Sequence, residues 1–162
     1  MKNLWAPWRK EFILGKKEGG CIFCKRLKEK RDKENFILFR GKKSFVILNR
    51  FPYNSGHLMI SPNRHIGKLE QLRRDELSEL AFLCQQAVTI MKKTLKPDGL
   101  NLGMNLGKSA GAGIADHLHI HIVPRWDGDT NFMPTLTDTK LISISLQDIY
   151  QQLKKKFDKI KL

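Results

Sequence analysis

The sequence predicts an α+β fold: a sheet, one long helix and a C-terminal helix. Two observations lead there. Short apolar runs lie before and after a single long helical stretch, without the regular strand–helix alternation of a doubly wound sheet. His117, His119 and His121 alternate with Leu118, Ile120 and Ile122, which is the period of a half-buried strand. Residues two apart on a strand share a face. Three imidazoles are therefore expected on one side and three aliphatic side chains on the core side.

Residues 1–20 are broken by Pro7, Gly15, Gly19 and Gly20 and carry Trp5 and Trp8, an irregular arm that packs on something. Cys21-Ile-Phe-Cys24 leads into the charged stretch Lys25–Glu34, an exposed helix or loop. Phe36–Phe39 and Phe45–Asn49 read as strands joined by a turn at Gly41-Lys42-Lys43. Pro52, Asn54, Ser55 and Gly56 form a loop before a third strand, His57–Ser61, which Pro62 ends. Between Arg74 and Lys96, Leu77, Leu80, Ala81, Leu83, Cys84, Ala87, Val88 and Met91 fall at helical spacing. Pro97-Asp98-Gly99 stops that helix. Leu100–Leu106 is a fourth strand, and Gly107–Gly113 a glycine-rich loop that delivers the chain to the histidine strand. A last helix is expected from Leu146 to Lys159.

A chain of 162 residues suits one domain, and a hydrophobic content of 41% excludes a disordered one. No apolar run reaches the length of a membrane span. The first residues lack the apolar core of a signal peptide, and three cysteines do not make a secreted disulfide framework. A cytoplasmic protein is expected. The formal charge of +14, from 30 Lys+Arg against 16 Asp+Glu, has two readings. One is an anionic partner such as a nucleotide or polyphosphate; the other is a lysine-rich solvated surface. The basic residues are scattered, so a nucleic-acid partner is not expected.

Three histidines on one face suit a catalytic metal centre, nucleophilic attack at phosphorus, or a structural role. The loop before them favours a phosphorylated substrate. Its glycines let backbone N–H groups approach phosphate oxygens, and Lys108 and Ser109 add a charge and a hydroxyl. Cys21 and Cys24 are ambiguous on spacing alone: a redox pair, half a zinc site, or two packed thiols. No βαβ setting supports the redox reading. Cys84 lies on the apolar face of the long helix and reads as core. Trp126, Asn131 and Phe132 come after the histidine strand and suit base stacking, a dimer interface or core packing.

The segment His117-Leu-His-Ile-His-Ile-Val123 resembles the hallmark of the histidine triad family, and Phe45–His65 is similar to its upstream nucleotide-binding strands. The resemblance implies an antiparallel sheet of about five strands over a single domain, 1–162, with residues 1–30 as an N-terminal arm. It implies that His119 attacks the α-phosphorus and forms a nucleotidyl-histidine, its other ring nitrogen donating to a backbone carbonyl. His121 assists at the phosphate or leaving group, and His57 buttresses the triad. Asn49 would bind a ribose hydroxyl, with Asn105, Lys108, Ser109, Gly111 and Gly113 around the phosphates. It further implies a structural zinc on Cys21, Cys24, His65 and His117, and a homodimer or larger homo-oligomer.

Within the family, Leu4–Arg9, Asn105–Gly111 and Val123–Phe132 are similar to enzymes of the diadenosine tetraphosphate phosphorylase or hydrolase type. Phosphorolysis would make inorganic phosphate a second substrate. One departure stands out. Ala112-Gly-Ile-Ala115 offers no side-chain donor where relatives carry Ser or Gln, so the Gly113 N–H or Ser109 would take that place. The alternatives are a nucleoside phosphoramidase, a hydrolase of adenylated nucleic-acid ends, and a nucleotide-binding regulatory module.

Overall fold

The computed structural model describes residues 20–130 and 142–162. Trp5, Trp8, the segment Leu4–Arg9, Asn131 and Phe132 lie outside them. In chain order come α1 (Ile22–Glu29), α2 (Asp32–Asn35), β1 (Ile37–Arg40), β2 (Ser44–Leu48), β3 (Leu58–Pro62), α3 (Arg74–Leu95), β4 (Gly99–Met104), β5 (Ile120–Arg125) and α4 (Leu146–Phe157). The strands form one five-stranded sheet in the order β1-β2-β3-β5-β4. Every neighbouring pair is antiparallel. The expected α+β class, strand number and two long helices are all present.

α3 and α4 cover one face of the sheet. Leu80, Leu83, Ala87 and Met91 from α3 and Ile149, Leu153 and Phe157 from α4 pack on Leu38, Val46, Leu48, Leu58, Ile60 and Ile122. The other face carries a smaller cluster of Phe23, Ile37, Phe45, Ile47 and Met59. Pairing of Met59 with His121 puts the histidine on this second face, while Ile120 and Ile122 turn toward the helices. Both faces of β2 and β3 are thus covered, and all five residues of each are buried.

Two details differ from the sequence reading. Leu77 and Ala81 are exposed, and Cys84 and Val88 only half-buried. At 100° per residue, positions 77, 81, 84 and 88 form a row roughly 90° round the helix from Leu80, Leu83, Ala87 and Met91. Only the second row meets the sheet. In addition, β5 starts at Ile120, so His117 and His119 precede the ladder. That stretch bonds to the loop after β3 and to a β3 side chain instead: the Leu118 N–H donates to Ile66 O (2.7 Å), and Ser61 Oγ in β3 donates to Leu118 O (2.8 Å). The approach needs Gly67, where a Cβ would lie 2.6 Å from Ala115 O.

β4 is an edge strand. Asn101, Leu102 and Gly103 are exposed along it. No helix among the described residues is long and apolar enough to cross a membrane.

Candidate active site

The five histidines fall into two groups joined through His119. His117 is fully buried, and its Nε2–H donates to Pro62 O at 2.8 Å. A carbonyl can only accept, so Nδ1 of the neutral ring is left bare. It lies 3.2 Å from Cys21 Sγ, 3.6 Å from Cys24 Sγ and 3.3 Å from His65 Nδ1. Cys24 Sγ and His65 Nδ1 are 3.5 Å apart, and all four donor atoms fall within 4.8 Å of one another.

The three S···N distances and the N···N distance are close to the edges of a zinc tetrahedron. With Zn–S of about 2.3 Å and Zn–N of about 2.05 Å, S···N edges are about 3.6 Å and N···N edges about 3.3 Å. The donor set is closed, with no position for substrate, so a metal here would be structural. Burial, followed by the neighbouring His65 and His119, holds the His117 imidazole below its ordinary range, which suits a neutral ligand. His65 is held in place by its neighbour. The Arg64 guanidinium forks onto Glu76 at the start of α3 (2.9 and 2.7 Å) and donates to Gln71 O (2.9 Å). Arg64 in turn keeps the buried Glu76 carboxyl far below the usual carboxylate range.

His119 Nδ1–H donates to His117 O at 2.9 Å, leaving Nε2 with its lone pair. The backbone carbonyl expected to hold the His119 proton is thus that of His117. Phe23, fully buried between the two cysteines, packs its ring 5.1 Å from His119 and 5.2 Å from His117.

The second group is His57 and His121. The Tyr53 backbone N–H donates to His57 Nδ1 at 3.0 Å, and Asn49 Nδ2 lies 3.3 Å from the same nitrogen. His57 therefore carries its proton on Nε2 and donates it to His121 Nδ1 at 2.9 Å. That leaves the His121 proton on Nε2. His119 thus offers a lone pair and, with ring centroids 4.8 Å apart, His121 offers an N–H. A nucleophile beside a hydrogen-bond donor suits displacement at phosphorus.

Burial, then the charges of His121 and His119, pushes His57 down to about 3; burial, then His119, pushes His121 down to about 4. Both rings stay neutral at working pH. Below pH 6.5 the unfolded chain takes up protons that these rings refuse when folded. Stability is full above pH 6.5 and falls as pH drops toward 4 and then 3. Between pH 6 and 5, the unfolding free energy of metal-free protein should fall by about 1.4 kcal/mol per pH unit for each ring. Urea unfolding at pH 7, 6 and 5 measures this, and an unchanged midpoint across that range contradicts it.

The remaining expected residues are placed as follows. Asn49 Oδ1 accepts the Phe51 N–H at 2.9 Å, so its amide is already oriented at the end of β2. Asn105 Nδ2 reaches Gly111 O at 3.4 Å across the glycine-rich loop. Lys108, Ser109, Gly111 and Gly113 are exposed on that loop, and the Lys108 and Ser109 side chains bond to no described residue. Cys84 is half-buried against the helix-side core, where burial pushes its thiol up to about 11. Trp126 is half-buried, and its backbone N–H donates to Asp129 Oδ2 at 3.2 Å. Sequence reasoning missed Phe23, Tyr53, Asn54 and Asp129. Only Phe23 had a visible signal, its place inside the Cys-x-x-Cys.

The HIT domain family matches residues 30–128 of the chain. The chain is 36% identical over 156 residues to the AP-4-A phosphorylase of Mycobacterium tuberculosis, spanning 91% of this chain and 80% of that protein. Among solved structures, a hypothetical histidine triad nucleotide-binding protein of Sulfolobus tokodaii superposes with a TM-score of 0.67 at 31% identity. That match covers 85% of this chain and 89% of the other. A zinc-bound histidine triad family protein of Mycobacterium smegmatis shares the fold, with a TM-score of 0.69 at 21% identity over 86% of this chain and 94% of its own. With the complete triad, the antiparallel sheet and these matches in agreement, the chain belongs to the histidine triad (HIT) domain family.

Proposed function

We propose that this protein cleaves dinucleoside polyphosphates of the diadenosine tetraphosphate type through a nucleotide adduct on His119. The carrying observation is the proton arrangement of the triad: a bare Nε2 on His119 next to a protonated Nε2 on His121. The activity of the M. tuberculosis relative, a phosphorylase of AP-4-A, supports the substrate class.

In the first step the His119 Nε2 lone pair forms a bond to the α-phosphorus. The P–O bond to the departing polyphosphate breaks with its electron pair leaving on the bridging oxygen, to which the His121 Nε2–H donates a hydrogen bond. In the second step an anionic oxygen of inorganic phosphate, or a water molecule that gives its proton to solvent, attacks the same phosphorus. That acceptor forms a new P–O bond as the P–N bond to His119 breaks. Asn49 holds the ribose. Asn105, Lys108, Ser109 and the N–H groups of Gly111 and Gly113 receive the phosphates, where donors aimed at developing charge lower the barrier. Cys21, Cys24, His65 and His117 would hold a structural zinc that would fasten α1 to the catalytic segment, outside the steps above. The exposed edge of β4 suits a homodimer whose sheets join, since an uncovered edge strand invites pairing.

Product analysis of diadenosine tetraphosphate, with and without inorganic phosphate, tests this reading. ATP plus ADP formed only with phosphate means phosphorolysis. ATP plus AMP without phosphate means hydrolysis. No cleavage in either condition rejects the substrate class and turns attention to phosphoramidates. Light scattering on the same sample should read the mass of two chains, and a single-chain mass rejects the dimer.

A further inference from the structure

A neutral pair of imidazoles has two proton arrangements. In one, His57 Nε2–H donates to His121 Nδ1. In the other, His121 Nδ1–H donates to His57 Nε2, and His121 then faces the substrate with a lone pair. Only the first presents an N–H to a leaving group. Something outside the pair must choose between them.

The Tyr53 N–H makes the choice, since it occupies His57 Nδ1 at 3.0 Å. In the second arrangement that nitrogen would carry a proton and meet another donor. Two donors facing each other across 3.0 Å disfavour that arrangement. Asn49 Nδ2, at 3.3 Å, is a longer second donor to the same atom.

Asn54, the next residue along the chain, aims the Tyr53 N–H. It is almost buried, 6% exposed. Its backbone O accepts the His57 N–H at 3.1 Å. Its side-chain Nδ2 donates both protons, to Pro124 O at 2.9 Å and to Asp129 Oδ2 at 2.7 Å. The Asp129 side chain is itself only 6% exposed. It takes the Arg125 guanidinium fork at 2.7 and 2.9 Å, and Arg125 also donates to Asn101 in β4 at 3.1 Å. A carboxylate this buried is costly unless fully partnered. Here its partners come from β5, the turn after β5 and the β2–β3 loop. Gly56, between Asn54 and His57, has φ +81° and a Cβ position 2.7 Å from Leu95 Cδ1, so the loop turns there where a side chain would be strained.

We propose that Asn54, clamped by Asp129, is a positioning residue that holds the Tyr53 N–H on His57 and so fixes His121 as a hydrogen-bond donor toward the leaving oxygen. Its effect on turnover rests on the proposed function. Its effect on the proton arrangement does not.

The test pairs two readouts on Asn54→Ser, which removes the long amide without adding charge, and on Asp129→Ala, which removes the clamp from the other side. Long-range nitrogen–proton NMR of the histidine rings, on nucleotide-free protein, should show His121 protonated only at Nε2 in the wild type. Both variants should show a mixture of Nε2-H and Nδ1-H forms. For diadenosine tetraphosphate, kcat should fall by about 10-fold with KM changed by less than about 2-fold. Unchanged His121 protonation in whichever variants remain folded overturns the proposal. So does a loss confined to KM. A wild type with the expected protonation but no turnover counts against the proposed function and leaves the positioning role standing.

Discussion

Replacing His119 with alanine should lower turnover of diadenosine tetraphosphate by at least about 10⁴-fold, because it removes the bond-forming atom rather than an assisting group. The neighbours cannot substitute. His117 directs its free nitrogen at Cys21, Cys24 and His65. His121 Nδ1 is occupied by the His57 proton, and its Nε2 is protonated. The fold should survive. The His119 ring lies against Phe23 and His121, and its hydrogen bond is to the carbonyl of His117, which is not part of a strand ladder. Truncation leaves a small void beside Phe23, with a cost of about 1–3 kcal/mol. Circular dichroism and thermal unfolding check the fold, and quantified products check the rate. Turnover within about tenfold of the wild type would reject His119 as nucleophile.

Replacing Cys21 with serine should empty a zinc site that holds about one ion per chain. Metal analysis after dialysis reads this directly, with Cys84→Ser as a control, since Cys84 packs against the helix-side core on the other face of the sheet. Serine offers a weak, protonated hydroxyl where the site needs a thiolate. The consequence should reach the fold. α1 has no side-chain N-cap bond of its own, and Phe23 is its only buried residue. At a free zinc concentration about a thousand times the Kd, the metal contributes about 4 kcal/mol, so the melting temperature should drop by about 10 °C. Turnover should fall as well, because Phe23 packs on His119 and the His117 carbonyl holds the His119 proton. Wild-type protein prepared without chelator and free of zinc would reject the site.

Much of this architecture is legible along the chain. Alternation from His117 to Ile122 places the histidines opposite the aliphatics, and Ile120 and Ile122 do face α3 and α4. Continuous apolar runs mark β2 and β3, and helical spacing places α3 within one residue of its ends. The Cys-x-x-Cys is visible but has several readings. Its four-ligand reading comes from the family resemblance, and the structure brings those four side chains together. Leu77 departs from expectation because periodicity reports an apolar row, not which of two rows meets the sheet.

Residue type and local period are enough to give the α+β class, the face that carries the triad and the residues with chemistry to offer. They are silent on which nitrogen of each histidine holds its proton. That choice rests on Pro62 O, on His117 O and on the Tyr53 N–H, and on Asn54 and Asp129, which are 75 positions apart. A tautomer is set by the partner at the other end of a hydrogen bond. For His57, His117 and His121 those partners are brought within reach only when the β2–β3 loop, β3 and β5 come together.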